Sequence, residues 1–125
     1  ITTRLGLPIQ VDTRLREIHQ GEFQGLLVSE IAERFAVVMQ QWHNNPATAH
    51  APGGETVIQV SERVAAAAND IARAHPGERV LVVSHGMALA TLIVRVRGVP
   101  YERVYTLIPE NATPVIIEWD VEKRT

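Results

Sequence analysis

The sequence predicts an α/β domain with helices on both faces of a sheet. Val80-Leu81-Val82-Val83 is an unbroken apolar run ending in Ser84-His85-Gly86, the pattern of a strand covered on both sides. Met87 to Val96 is an almost wholly apolar helix. The order helix, buried strand, buried helix, strand completes the α/β pattern.

The elements follow in chain order. Thr2 to Pro8 reads as the end of a helix and a turn, so the natural domain is expected to begin upstream of Ile1. Leu7 to Val11 is a short extended piece, and Leu15 to Gly25 is a structured loop with glycines at 21 and 25. Val28, Ile31, Phe35, Val38 and Trp42 make one apolar stripe, which predicts a helix over 27–42. His43 to Gly54, with Pro46, Pro52, Gly53 and Gly54, is a loop. A second helix starts at Thr56, where Thr56 and Gln59 form a capping box. Its stripe is Val57, Val60, Val64, Ala67 and Ile71, with Ala65 to Ala68 suited to close packing on a sheet, and Pro76-Gly77 ends it. Strands are expected over 79–84 and 113–119, and a further helical turn over 101–105. Gly98 and Pro100 stop the Met87 helix. Two strands are few for such a sheet.

The composition excludes several classes of function. The 125 residues make one domain, 46% hydrophobic and 21% charged, with a net charge of −2. No field recruits nucleic acid or an anionic membrane. Cysteine is absent, which excludes disulfides and thiolate chemistry and fits a reducing compartment; with no signal peptide visible, the cytoplasm is the expected location. The longest apolar run falls far short of the ~20 residues of a membrane span. No two histidines have the i, i+4 spacing of a helical metal site.

Three places could carry chemistry. His85 stands where a strand meets a helix N-terminus, a natural anion site, and Gly86 lets the backbone approach a ligand closely. The alternative is a histidine that caps the helix. Glu17 lies between Leu15 and Ile18 in an otherwise charged loop. Part-buried beside a phosphate dianion, such a carboxyl would hold its proton near neutrality and serve a leaving alkoxide as general acid. A surface glutamate paired with Arg14 or Arg16 is the plainer alternative, and spacing alone favours it. Gly53-Gly54-Glu55-Thr56 offers another anion-accepting helix start, though a plain turn with a dipole-complementing glutamate explains it more simply. His19 either lines a pocket with Glu17 or packs. His43, His50 and His75 read as solvent-exposed, and Trp42, Tyr101 and Tyr105 as packing.

Leu15-Arg16-Glu17-Ile18 with Gly21 and Gly25, then Gly54-Glu55-Thr56, then Val82-Val83-Ser84-His85-Gly86 together resemble the histidine phosphatase superfamily, the phosphoglycerate mutase-like proteins. The likeness covers nearly the whole chain. It implies a three-layer α/β/α sandwich and metal-independent phosphoryl transfer from a small-molecule phosphate ester to a histidine, then to water or another hydroxyl. It implies Glu17 as the proton donor to the leaving group, His85 as the second, phosphate-stabilising histidine, and Gly86 beside the phosphate through its backbone.

One departure weighs against full activity. The family's nucleophile lies in an Arg-His-Gly motif at the end of a first strand, and no Arg-His pair occurs in this sequence. A second family arginine would also fall before Ile1. The chain thus resembles the carboxyl-terminal part of such an enzyme and is expected to be inactive alone. The first strand would lie beside 80–83, so its loss would expose an edge open to association, a homodimer included. A phosphoglycerate mutase-type isomerase is the alternative reaction, although the compact interval from Glu17 to Gly54 favours a phosphatase. A non-catalytic module that binds a phosphate ligand is the alternative class.

Overall fold

Val57, Val60, Val64 and Ala67 recur on one face of a helix, and all four are buried. This helix, α4, spans Val57–Ala74. Its start is closed as the sequence predicts: the Gln59 N–H donates to Thr56 Oγ1 at 3.1 Å, and the Thr56 N–H to Gln59 Oε1 at 2.9 Å. The apolar run after His85 forms α5 (Gly86–Arg97), stopped by left-handed Gly98 at φ 63°. The two helices pack together, and a 3-10 helix at Tyr101–Leu107 closes over α5. The core joins Val57, Val60 and Val64 of α4 with Met87, Ala88, Ala90, Leu92 and Val94 of α5, plus Ile18 and Val104. Each fully buried valine contributes about 1.5–3 kcal/mol relative to exposure.

The computed structural model describes residues 1–121. The other helices are α1 (Thr2–Leu5), α2 (Val28–Arg34) and α3 (Ala36–Asn44), with 3-10 turns at Thr13–Leu15 and Gly21–Phe23. The single helix expected over 27–42 is two, because Phe35 leaves the helical region at φ −127°, ψ 42°. The break lets Phe35 meet Phe23, with ring centroids 5.1 Å apart, while Trp42 stacks on Phe23 at 6.0 Å. Trp42 Nε1 donates to the Tyr105 hydroxyl, and burial pushes that hydroxyl's pKa up.

The expected strands are corrected. No strand forms among the described residues, and 79–84 and 113–119 run without regular structure. Val80, Leu81 and Val83 are 45%, 58% and 73% exposed, and Ile116 is 96% exposed. A strand exists only when a neighbouring backbone completes its hydrogen bonds, and none does so here among the described residues. The layers observed are therefore helical. Buried polar groups are satisfied: Ser61 Oγ lies 2.8 Å from the Tyr101 hydroxyl and accepts from Arg95 Nε, and Thr91 Oγ1 donates to the Ala88 carbonyl. No helix among the described residues is long and apolar enough to cross a membrane.

Candidate active site

His85 is the N-cap of α5, with extended backbone at φ −124°, ψ 165°, and its side chain makes no capping bond. A helix start leaves its first N–H groups without partners inside the helix. Here a carboxylate from 70 residues away takes them. Glu17 Oε2 accepts from the Met87 N–H at 2.9 Å and Oε1 from the Ala88 N–H at 3.0 Å. The Ile18 N–H adds a third bond to Oε1 at 2.9 Å. Negative charge is favoured at this end of the helix dipole. A Cβ built on Gly86 would lie 3.9 Å from Glu17 Oε2 and only 2.9 Å from Ile108 Cγ2, so glycine keeps the turn close-fitting.

The loop carrying Glu17 has no secondary structure to satisfy its backbone beyond the 3-10 turns at Thr13–Leu15 and Gly21–Phe23. Side chains hold it instead. Ser84 Oγ donates to the Leu15 carbonyl at 2.7 Å. Arg63 Nη1 donates to the Arg14 and Arg16 carbonyls at 2.7 and 2.8 Å, and Nη2 to the Glu17 carbonyl at 3.1 Å. The remaining Arg63 donors grip Glu55 through Nε at 2.8 Å and Nη2 at 2.9 Å. This guanidinium holds the Glu55 carboxyl below its ordinary pKa. Glu55 is tied to the loop as well: its carboxylate accepts from the His19 N–H, and its own N–H donates to the His19 carbonyl. Gly21, at φ 49°, completes the fit. A Cβ there would meet the Pro52 carbonyl oxygen at 2.2 Å, and one on Gly54 would meet the His19 carbonyl oxygen at 2.8 Å.

Glu17, His85 and Gly86 are thus brought to one turn. The His85 ring is exposed and makes no hydrogen bond among the described residues. An ion pair of Glu17 with Arg14 or Arg16 does not form, because Arg14 forks to Asp12 and Asp70, both at 2.7 Å. The start of α4 is not an open anion site: the Thr56–Gln59 box closes it, and Glu55 turns to Arg63. The His19 ring accepts from the Gly21 N–H through Nδ1 at 3.1 Å. His43 and His50 are exposed, and His75 lies 2.9 Å from Glu78. Tyr101 bonds Ser61, in keeping with packing. Trp42 and Tyr105 both pack and line an open cavity of about 360 Å³ with Met39, His43 and Pro46. A second, of about 420 Å³, lies between α3 and the 45–52 loop. Neither is lined by Glu17, His85 or Gly86. Two residues that hold the site, Ser84 and Arg63, lie outside the sequence-predicted candidates. Arg63 had a signal, since it flanks the apolar stripe of α4 beside Val64 rather than standing opposite it.

Known proteins resemble this chain in sequence and in fold. The family model described as histidine phosphatase superfamily (branch 1) matches residues 1–125. A protein of Hydrogenobacter thermophilus provisionally named phosphoserine phosphatase 2 is 29% identical over all of this chain, which covers 61% of that protein. Salmonella proteins provisionally named phosphoglycerate mutase GpmB are 33% identical over 80% of the chain and 46% of their own length. Among solved structures, Bacillus stearothermophilus YhfR matches with a TM-score of 0.73 and 30% identity, over 89% of this chain and 52% of that one. A mycobacterial glucosyl-3-phosphoglycerate phosphatase in complex with VO3 matches with a TM-score of 0.73 and 29% identity, over 84% and 54%. The chain therefore spans about half to three-fifths of the length of these relatives.

Proposed function

This chain belongs to the histidine phosphatase superfamily, and we propose from that membership that it serves phosphomonoester hydrolysis through a phosphohistidine intermediate. The observation that carries the reading is the meeting of Glu17 with the His85-Gly86 turn, through the Met87 and Ala88 amides. In this reading Glu17 protonates the leaving oxygen. His85 donates to the phosphoryl group as charge develops, and the Gly86 backbone lies against it. The covalent intermediate splits the displacement into two easier steps. As now placed, Glu17 occupies the amides an anion would use, so its carboxyl shifts toward the leaving group when phosphate enters. The proposal includes a single domain with a three-layer α/β/α sandwich, a small-molecule phosphate ester as substrate, no metal requirement and a cytoplasmic location.

These 125 residues contain no Arg-His pair to supply the acceptor histidine, so we expect them to be inactive alone. The test joins the N-terminal segment of a relative, with its Arg-His-Gly strand and the second arginine, ahead of Ile1. That chain should hydrolyse p-nitrophenyl phosphate, and the 125 residues should not. Full turnover by the 125 residues alone would refute the reading, as would hydrolysis by the joined chain that survives loss of both Glu17 and His85. The names of the relatives include both a phosphatase and a mutase. Offered a phosphoglycerate, the joined chain should release inorganic phosphate; an isomer would assign it to mutase action.

A further inference from the structure

The four consecutive carbonyls of Arg14, Leu15, Arg16 and Glu17 are all bonded to side chains from outside the loop, three of them to Arg63. We infer that Arg63 is a positioning residue for Glu17, acting through the loop backbone and not through the carboxylate. The inference rests on the reading of Glu17 as the acid. A guanidinium has five N–H donors in a fixed planar fork. Here all five have acceptors: two on Glu55 and three on the loop. The arginine stands on α4, a rigid helix anchored in the core by its neighbours Val60 and Val64. Its bidentate partner Glu55 precedes the same helix and binds both backbone groups of His19, two residues beyond the acid. The loop is therefore clamped on both sides of Glu17 from one helix start.

The clamp fixes the Glu17 main chain, and the carboxylate reaches the Met87 and Ala88 amides only from that main-chain position. A lysine at 63 would bring charge to Glu55, but a compact ammonium has three donors and cannot span Glu55 and three carbonyls. Among the described residues Arg63 makes no hydrogen bond or ion pair with His85, Gly86 or the Glu17 carboxylate, so any effect on the site passes through the loop.

The test reads the amide resonances of Met87 and Ala88 by 15N NMR in the 125-residue chain, so it requires no turnover. Glu17→Ala sets the fully released positions of both signals. In Arg63→Met both should move at least half of the way to those positions, while Thr91 and Leu92 inside α5 stay where they were. Arg63→Lys should move them by a smaller amount. A folded Arg63→Met chain with unmoved Met87 and Ala88 signals would overturn the role of Arg63. If Arg63→Met does not fold, Arg63→Lys decides by the same readout, a movement of both signals supporting the role and wild-type positions overturning it. Amides that ignore even Glu17→Ala would instead remove the Glu17 contact on which the functional reading stands.

Discussion

Two helix starts in this protein solve the same problem in opposite ways. The first turn of α4 is closed by Thr56 and Gln59, residues of its own neighbourhood. The first turn of α5 has no capping side chain at His85 and is closed by Glu17, 70 residues earlier in the chain. A local cap fastens a helix and nothing more. A cap brought from afar ties helix, loop and histidine into one unit, and it leaves a carboxyl group where an anion would bind. In the proposed reading the α5 start is therefore the one that takes part in chemistry, and its integrity depends on everything that holds the Glu17 loop.

Perturbing each start separately should expose that dependence. The greatest loss is expected from Gly21→Ala, because the new Cβ would sit 2.2 Å from the Pro52 carbonyl oxygen at a positive φ. The loop must lift off, at a cost of about 3 kcal/mol in chemical denaturation. Glu17→Ala should cost about 2 kcal/mol, since two α5 amides lose their acceptor. Thr56→Ala removes only the local cap and should cost about 1 kcal/mol. It should leave the Met87 and Ala88 amide signals unmoved, which Glu17→Ala does not. Equal effects of Thr56→Ala and Glu17→Ala on those signals would erase the distinction between the two starts.

The mildest perturbation is acid. Arg63 lowers the Glu55 pKa from its ordinary value of 4.5. The folded-state pKa is the depressed one, so this stabilisation is complete above the unfolded value and is lost as pH falls through the folded value. Wild type and Glu55→Gln should therefore differ most in thermal midpoint near neutrality, and the difference should shrink as pH falls below 4.5. The group is a quarter exposed, so solvent screening keeps the difference small. A gap that persists unchanged at pH 3 would show that the charge of Glu55 contributes nothing.

The same contrast explains what could be read from the residues. Thr56 and Gln59 stand three apart, and the valine stripe repeats at helical spacing, so α4 was visible as a whole. The α5 helix and its Gly98 stop were visible for the same local reason. Glu17, His85 and Gly86 could be named as candidates from motif order, but the route by which they meet could not. Arg14 and Arg16 were the neighbours at hand, yet Arg14 is taken by Asp12 and Asp70, and Glu17 is drawn to a helix dipole far along the chain. The break at Phe35 was hidden because aromatic packing against Phe23 overrides a continuous apolar stripe. Val80 to Val83 have the composition of a buried strand, but composition cannot supply a neighbouring backbone, and these side chains are largely exposed.

The direct test of Glu17 as the acid is a comparison of leaving groups in the chain that carries the added N-terminal segment. An alkoxide leaving group needs a proton, whereas p-nitrophenolate leaves without one. Glu17→Gln should lower kcat/KM for an alkyl phosphate by about 100-fold or more and change that for p-nitrophenyl phosphate far less. An equal loss on both substrates, or no loss on either, would contradict the assignment of the proton to Glu17.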